Sequence, residues 1–280
     1  MPERPLFGRA LGIQMYALGQ NAYNDLDATF AALAAIGYAE VEVGQGAKPA
    51  ADVRAALSRA GLTCPSIHMS VGAGASPDAI ARSAEYAHAV GANYACMTIF
   101  PFVKPFPSAA NPTQMLAALA RSYTADDWRR AGDILNITAT GLHSAGLAFA
   151  YHNHNPEFTP AGDSTGFDAM IARTDPSLVK LEVDVGWLKA AGIDPATFVR
   201  QHAARVRLMH LKDLKSSTPT NFALTIDPTE VGSGAQDWPA LLQAARDAGV
   251  EHFLVEQEPP FERPELDSAR LSFQYLQNFR

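Results

Sequence analysis

Two apolar runs within residues 179–213 each end in side chains of the kind that bind metals or move protons. The first run ends in Asp184, and the second ends in His210-Leu211-Lys212-Asp213. A helical segment opened by Asp194-Pro195 separates them, so the stretch predicts a strand–helix–strand unit. Such a unit places the carboxyl ends of both strands at one edge of a parallel sheet, where ligands bind. The spacing therefore predicts a shared site containing Asp184 and His210.

Two further apolar runs end in similar groups, because His152 and Glu256 also stand at strand ends. Carboxylate and imidazole donors together suit a divalent ion such as Mn²⁺, Zn²⁺, Co²⁺ or Mg²⁺. The sequence thus predicts a metal centre with the ligands His152, Asp184, His210 and Glu256. A network held by hydrogen bonds alone is the alternative, and a single buried histidine such as His68 is more often structural.

Side chains alternate along a strand, so further polar groups face the same interior as these ligands. Gln14, Glu42 and His68 are the candidates for substrate contact, and His154, Glu157, Lys212 and Glu256 are the candidates for catalysis. Lys212 could act as a base if it were desolvated. A salt bridge to Glu182 or Asp184 is its alternative role, and Glu157 could orient a ligand histidine instead.

One local pattern recurs along the chain: an alanine-rich helical stretch ends in glycine, and an apolar strand follows. The glycines are Gly37, Gly61, Gly91, Gly146 and Gly249, each in the position of a helix C-cap. Eight strands are predicted near 10–16, 38–43, 63–70, 93–99, 147–153, 179–184, 206–211 and 252–257. Helices are predicted near 25–36, 49–60, 76–90, 124–145, 166–174, 194–204, 237–248 and 266–278.

Eight such units in 280 residues predict an α/β fold, a (β/α)8 TIM barrel formed by residues 1–280 as a single domain. A doubly wound sheet is the alternative. It would carry a glycine-rich phosphate turn after its first strand, where this chain has Tyr16-Ala17-Leu18-Gly19-Gln20.

Composition narrows the function. A net charge of −7, with scattered lysines and arginines, argues against a nucleic-acid partner. No apolar run approaches 18 residues, and the first 16 residues lack the layout of a signal peptide, so we expect no membrane partner and a cytoplasmic location. Cys64 and Cys96 lie in apolar runs and are expected to be buried free thiols. The oligomeric state, including a homo-oligomer, stays open.

Two segments between the predicted elements look irregular. Phe100–Tyr123 is rich in proline and aromatic residues, and we interpret it as a lid or pocket wall. Residues 215–236 contain Gly232-Ser233-Gly234, whose backbone N–H groups could bind an anion. Surface padding is the alternative for both segments.

Several runs, taken in order, resemble the sugar phosphate isomerase/epimerase group of xylose isomerase-like TIM barrels. They are GIQMYALG (12–19), YHNHNPEF (151–158), LEVDVGW (181–187), VRLMHLKD (206–213), VGSG with DW (231–238) and FLVEQE (253–258). The resemblance covers nearly the whole chain, and its YHNH form is similar to the subgroup with inosose dehydratase-like and 3-keto-glycoside-processing proteins.

In members resembling tagatose and psicose 3-epimerases, Glu, Asp, His and Glu hold the metal, and the two glutamates exchange the substrate proton from opposite faces. The resemblance implies that Asp184, His210 and Glu256 fill three of these positions. His152 stands in place of the first glutamate, and Trp187 replaces a substrate-contacting histidine. Trp187 is thereby a further candidate for substrate contact.

The expected function is divalent-metal-dependent isomerisation or epimerisation of a small sugar or keto-sugar through a metal-stabilised enediolate. Loss of a β-hydroxyl from the same enediolate gives the alternative, a dehydratase or lyase of a keto-sugar or cyclitol. A sugar-binding barrel without turnover is a third possibility, and an endonuclease-IV-like repair role is the most distant. Because the chain offers only scattered arginines to a phosphate, an unphosphorylated carbohydrate is favoured as the partner.

Overall fold

Eight parallel strands close into a barrel in the computed structural model, which describes residues 5–70 and 76–279. Residues 1–4, the start of the segment on which the signal-peptide expectation depends, lie outside this range. Each strand pairs with its neighbour in sequence, and the last pairs with the first, with Leu11 beside Phe253. The strands are β1 (Leu11–Gln14), β2 (Glu40–Gly44), β3 (Ser66–His68), β4 (Tyr94–Met97), β5 (Ala148–His152), β6 (Val179–Asp184), β7 (Val206–Leu211) and β8 (His252–Val255).

Helices connect the strands and cover the outside of the barrel. The α-helices are Pro5–Gly8, Leu26–Ile36, Ala50–Ala60, Pro77–Val90, Pro112–Ser122, Ala125–Ser144, Gly166–Ala172, Val185–Ala190, Pro195–Gln201, Trp238–Asp247 and Glu265–Leu276. Asp25, Asp194 and Asp237 accept the backbone N–H three residues later, as N-caps do. The helix at Pro77 starts without a side-chain cap bond from Ser76. The predicted (β/α)8 barrel is therefore confirmed.

The segment Phe100–Tyr123 contains more regular structure than its composition predicts. Asn111 accepts the N–H of Gln114, and a helix follows over Pro112–Ser122. The aromatic side chains before it pack together, with the rings of Phe102 and Phe106 4.6 Å apart. Within the described residues, no helix is long and apolar enough to cross a membrane.

Inward-facing side chains form layers along the barrel axis. The lower interior is apolar and contains Tyr94, Cys96, Ala150, Leu208 and Leu254. A Cβ on Gly12 would approach Leu254 Cδ2 to 2.6 Å, so the bare glycine gives that leucine its space. Toward the carboxyl ends of β6, β7 and β8, the remaining inward-facing side chains are all polar. This polar part of the interior opens to the outside at those strand ends.

A register shift between β6 and β7 sets which side chains of the two strands lie beside each other. Leu181 pairs with Val206 of β7, whereas Glu182 pairs with Leu208, so one residue of β7 is passed over. Beyond this bulge, Asp184 lies beside His210. The irregularity therefore aligns the two strand ends whose side chains lie at the centre of the candidate site.

Candidate metal centre

Four ligand-type side chains meet where β5 to β8 end. The donor atoms of His152, Asp184, His210 and Glu256 all lie within 4.8 Å of one another, and all four residues are buried. These are the four residues that the sequence predicts as metal ligands. The set offers two nitrogens and two carboxylate groups, which suits a divalent cation.

Asp184 is held by the backbone that follows it. It ends β6 and caps the helix Val185–Ala190, and its Oδ1 accepts the N–H groups of Gly186 at 2.9 Å and Trp187 at 3.0 Å. Its Oδ2 is buried and accepts no hydrogen bond of good geometry, although Lys212 Nζ lies 2.8 Å away. One oxygen is thus fixed by the backbone, and the other is oriented toward the ammonium of Lys212 and the donors of the cluster.

Each histidine of the cluster points one ring nitrogen away from the centre. His152 Nδ1 lies 3.1 Å from Glu182 Oε2, which leaves Nε2 facing Asp184 Oδ2 at 3.9 Å. His210 Nε2 lies 2.7 Å from Glu42 Oε2, and its Nδ1 lies 2.9 Å from Glu256 Oε2. Metal-binding histidines usually donate their second N–H to a carboxylate in this way. The arrangement leaves His152 Nε2 and His210 Nδ1 as the donors at the centre.

The charges of the cluster also call for a cation. Glu42, Glu182, Asp184 and Glu256 are buried carboxylates, and Glu258 is mostly buried beside them. Lys212 supplies one positive charge to this group. Unpaired buried carboxylates are costly, so further positive charge must come from a bound cation or from protonated histidines. The residues present therefore fit a divalent metal.

Lys212 is fully buried between three carboxylates. Its Nζ lies 2.8 Å from Asp184 Oδ2, 3.0 Å from Glu256 Oε2 and 2.6 Å from Glu258 Oε1, above the ring of Trp187. Burial alone would lower the pKa of Lys212, but these carboxylates raise it well above its ordinary value. The salt-bridge role suggested by the sequence is therefore present, with Asp184 as a partner and with no ion pair to Glu182 among the contacts of the described residues.

A polar cavity of about 210 Å³ opens above the cluster. Its lining side chains are Gln14, Tyr16, His68, Thr98, Ile99, His152, His154, Glu256 and Glu258. Ile99 comes from the segment that precedes Phe100, so the loop after β4 begins as a wall of this cavity. Four of the lining residues were not among the candidates from the sequence: Tyr16, Thr98, Ile99 and Glu258. Of these, Glu258 could have been found, because it alternates with Glu256 along the chain.

His154 and Glu258 are the cavity residues best placed to exchange protons. In the described part of the chain, the ring nitrogens of His154 make no hydrogen bond, and burial lowers its pKa well below the ordinary value. Burial raises the pKa of Glu258, partly opposed by Lys212. The first is therefore suited to accept a proton, and the second to carry one.

Four other candidate residues surround the centre, and of these only Gln14 lines the cavity. Glu42 is fully buried beneath His210, and Trp187 is buried against Lys212. Gln14 lines the cavity, and its Nε2 lies 3.1 Å from His68 Nδ1. Glu157 accepts the Tyr151 hydroxyl at 2.6 Å and the His154 backbone N–H at 3.0 Å, and burial raises its pKa to about 7.

The glycines of the loop after β7 bind an anion that the chain itself supplies. Asp213 is fully buried, and its Oδ2 accepts the N–H groups of Gly232 at 3.0 Å and Gly234 at 3.1 Å and the Trp238 indole N–H at 2.8 Å. A Cβ on Gly234 would overlap this carboxylate. The suggestion that Gly232-Ser233-Gly234 binds an external anion is therefore wrong, because these donors are used to fold the loop.

Comparison with known proteins agrees with this architecture. Residues 30–279 match the family described as Xylose isomerase-like TIM barrel, and the chain belongs to that family. It is 26% identical over 157 residues to an inosose dehydratase of Lacticaseibacillus casei, a match that covers 50% of this chain and 52% of that protein. The chain thus matches about half the length of this curated relative.

Solved structures share the fold along nearly the whole chain. A sugar phosphate isomerase/epimerase from Parabacteroides distasonis superposes with a TM-score of 0.79 at 20% identity, covering 96% of this chain and 94% of that one. A xylose isomerase-like TIM barrel protein from Mycobacterium smegmatis, in complex with magnesium, gives 0.67 at 14% identity, covering 98% and 97%. The names of these relatives describe enzymes, an inosose dehydratase and a sugar phosphate isomerase/epimerase.

Proposed function

We propose that this protein is a divalent-metal-dependent dehydratase of an uncharged keto-sugar or cyclitol. The observation that carries the proposal is the four-donor cluster of His152, Asp184, His210 and Glu256, of which His152 and Glu256 also line the cavity. The curated relatives that share sequence with this chain are named inosose dehydratases. The small cavity and the family favour a small carbohydrate as the substrate.

His152 favours dehydration over two-base epimerisation. In the resembled epimerases this position is a glutamate that exchanges a proton with the substrate. Here Nδ1 of the ring lies 3.1 Å from Glu182, and Nε2 faces Asp184 at 3.9 Å, on the side of the proposed metal. His152 is therefore a ligand without a proton to exchange, and Glu256 is the one carboxylate left at the equivalent pair of positions.

A divalent cation held by the four ligands would polarise the substrate carbonyl and so acidify the neighbouring C–H group. His154 is placed to take that proton, because its unbonded ring nitrogens line the cavity. Glu258 lines the same cavity and is placed to give a proton to the β-hydroxyl as its C–O bond breaks. The hydroxyl leaves as water with the proton of Glu258, while His154 keeps the proton taken from carbon. Return of a proton from His154 to Glu258 resets the site, so the substrate loses one water with no oxidation or reduction.

Lys212 has an electrostatic role in this proposal rather than the role of a base. Its ammonium binds Asp184, Glu256 and Glu258 and holds the ligand carboxylates and the proton donor in place. Glu157 stabilises the part of the cavity wall that His154 forms, because its carboxylate accepts the backbone N–H of His154.

The cavity favours a substrate without phosphate or carboxylate groups. Among the described residues, its lining contains neither lysine nor arginine, and the nearby Lys212 already contacts three carboxylates. An anionic substrate would face Glu256 and Glu258 without a compensating cation. Hydroxyl groups, by contrast, could form hydrogen bonds with the carboxylate, imidazole and amide groups that line the cavity.

Isomerisation is the second candidate, and the position of Glu256 favours it. This carboxylate lines the cavity as well as the metal cluster, so one base could move a proton between adjacent carbons. Both candidates begin with removal of the same proton.

Incubating the purified protein with Mn²⁺ and a panel of keto-sugars and inososes in deuterated water tests the proposal. We expect deuterium uptake next to the carbonyl and a product that has lost water; the Asp184→Ala variant should show neither. A product of unchanged mass would identify an isomerase or epimerase instead. Substrate binding with no exchange at any concentration of Mn²⁺ would show a sugar-binding barrel and contradict the proposal.

A further inference from the structure

A second layer of charged groups lies directly beneath the candidate metal centre. Glu182 is fully buried and is absent from the cavity lining. Its Oε2 lies 3.1 Å from His152 Nδ1 and 3.1 Å from His68 Nε2, and its Oε1 lies 3.6 Å from His210 Nε2. One carboxylate thus touches every histidine of the barrel interior at this level, yet neither substrate nor solvent reaches it.

Glu42 is the counterpart of Glu182 on the opposite side. It is also fully buried, accepts the Ser66 hydroxyl, and lies 2.7 Å from His210 Nε2 and 2.8 Å from His68 Nε2. His68 therefore bridges the two carboxylates through one ring nitrogen. Its other ring nitrogen faces the amide of Gln14, whose Oε1 accepts the Tyr16 N–H.

These contacts have the lengths of hydrogen bonds. The nitrogen–oxygen distances of 2.7–3.1 Å lie in the range of N–H···O hydrogen bonds. Because a carboxylate can only accept, Glu182 requires the proton of His152 to lie on Nδ1. The lone pair of His152 then lies on Nε2, the nitrogen that faces Asp184. Glu182 thereby fixes both the tautomer and the ring orientation of this histidine.

We propose that Glu182 is the positioning residue that makes His152 a metal ligand, and that Glu42 does the same for His210. The inference rests on the proposed metal centre. The donor atoms of Glu182 also lie within 4.8 Å of those of His68, His152 and His210, so direct binding of the metal by Glu182 is the alternative that the experiment must separate. His152 stands where the resembled epimerases have a glutamate. A neutral ring in that position gains basicity from the buried charge of Glu182 behind it. His152 and Glu182 therefore act together in binding the metal.

Binding of Co²⁺ to the Glu182→Gln variant tests this directly, because Co²⁺ reports its ligands through its visible absorption. The glutamine keeps the size of the side chain but offers one acceptor oxygen and a donor amide to the histidines. We expect the dissociation constant for Co²⁺ to rise about 10- to 100-fold and the absorption spectrum to change. Glu230→Gln is the matched control, since Glu230 is a buried carboxylate bound to Ser268 and Arg263 away from the site. Its Co²⁺ affinity and spectrum should equal those of the wild type.

A double-variant cycle separates positioning from a general loss of structure. If Glu182 acts through His152, adding Glu182→Gln to His152→Ala should weaken Co²⁺ binding little beyond His152→Ala alone. Additive losses would overturn the proposal. If Glu182→Gln does not fold, Glu182→Asp keeps the charge but shortens its reach, and we expect weaker Co²⁺ binding in the same direction.

The outcomes also distinguish this inference from the proposed function. Wild-type spectrum and affinity in Glu182→Gln would refute the positioning role and leave the metal centre intact. Two Co²⁺ ions per wild-type chain would make Glu182 a ligand of a second site and likewise refute it. A wild-type protein that binds no Co²⁺ would instead refute the proposed metal centre itself.

Discussion

The two ends of the barrel both carry charged side chains, but they balance their charges differently. At the amino ends of the strands, His252 Nδ1 lies 3.0 Å from Glu40, and Glu251 accepts the Tyr94 hydroxyl at 2.8 Å with Arg207 3.4 Å away. Each acid there has its own partner, and these side chains are partly exposed. The pairs need nothing that the chain does not supply.

The carboxyl ends of the strands contain more buried acids than Lys212 alone can neutralise, so the balance requires a bound cation or protonated histidines. Glu42, Glu182, Asp184 and Glu256 are buried, and the ammonium of Lys212 is shared among three carboxylates. Matched pairs at one end are what stability requires, whereas a buried excess of one charge at the other end indicates a missing ligand of opposite charge. Substitutions at the two ends test this difference in charge balance, and the largest effect is expected at Lys212.

Replacing Lys212 by methionine should destabilise the metal-free protein by about 3–5 kcal/mol, because it leaves buried carboxylates without their cation. Added Mn²⁺ should restore part of this loss, which urea unfolding with and without the metal would measure. Lys215→Met is the matched control, since that partly exposed lysine pairs with Asp227 and Glu262 near solvent and its loss should change the stability little. A Lys212 variant as stable as the Lys215 variant would contradict the charge argument.

Glu157 should make the stability of the protein fall as the pH rises. Its folded pKa of about 7 lies above its ordinary value of 4.5, so the stabilisation is fully present below pH 4.5 and lost as the pH passes 7. The loss should amount to about 3 kcal/mol. Glu157→Gln keeps the acceptor for Tyr151 and should remove this component in urea unfolding at pH 5 and pH 8, whereas Glu251→Gln at the other end should leave it unchanged.

A divalent metal should stabilise the wild type and not a variant that lacks a ligand. At a free Mn²⁺ concentration one hundred times its dissociation constant, the gain should be about 2.7 kcal/mol. Thermal unfolding should then shift upward by about 5 °C or more. The His210→Ala variant should show no shift, and an equal shift in both proteins would place the metal elsewhere.

Removing one hydrogen bond at the amino end should have the smallest effect. Tyr94→Phe deletes the hydroxyl bound to Glu251 and should cost about 1 kcal/mol in urea unfolding. Metal affinity and turnover should remain at wild-type values. A loss of metal binding in this variant would show that the two ends are coupled through the barrel. It would contradict the view that the two ends balance their charges independently.

The barrel and the proximity of the four candidate ligands could both be predicted from the sequence, because both follow from short-range patterns. Strand alternation and the helix starts at Asp25, Asp194 and Asp237 are local signals, and each proved correct in the structure. The helix Val185–Ala190 was missed because six residues are too few to show a periodicity. Because this helix is so short, the role of Asp184 as its N-cap was missed as well.

Contacts between residues distant in sequence could not be predicted in this way. Asp213 meets Gly232 and Gly234 only because the loop folds back on itself, and no local pattern marks that closure. Glu182 and Glu42 were visible as inward-facing acids. Their bonds to His152 and His210 depend on the register shift in β6 and on the closed barrel, which the strand pattern does not specify.

Equilibrium dialysis against Mn²⁺, followed by elemental analysis, tests the central claim most directly. The cluster of His152, Asp184, His210 and Glu256 predicts one ion per wild-type chain and a loss of that ion in the Asp184→Ala/His210→Ala double variant. A wild type without bound metal, or a folded double variant that retains one full equivalent, would contradict the account.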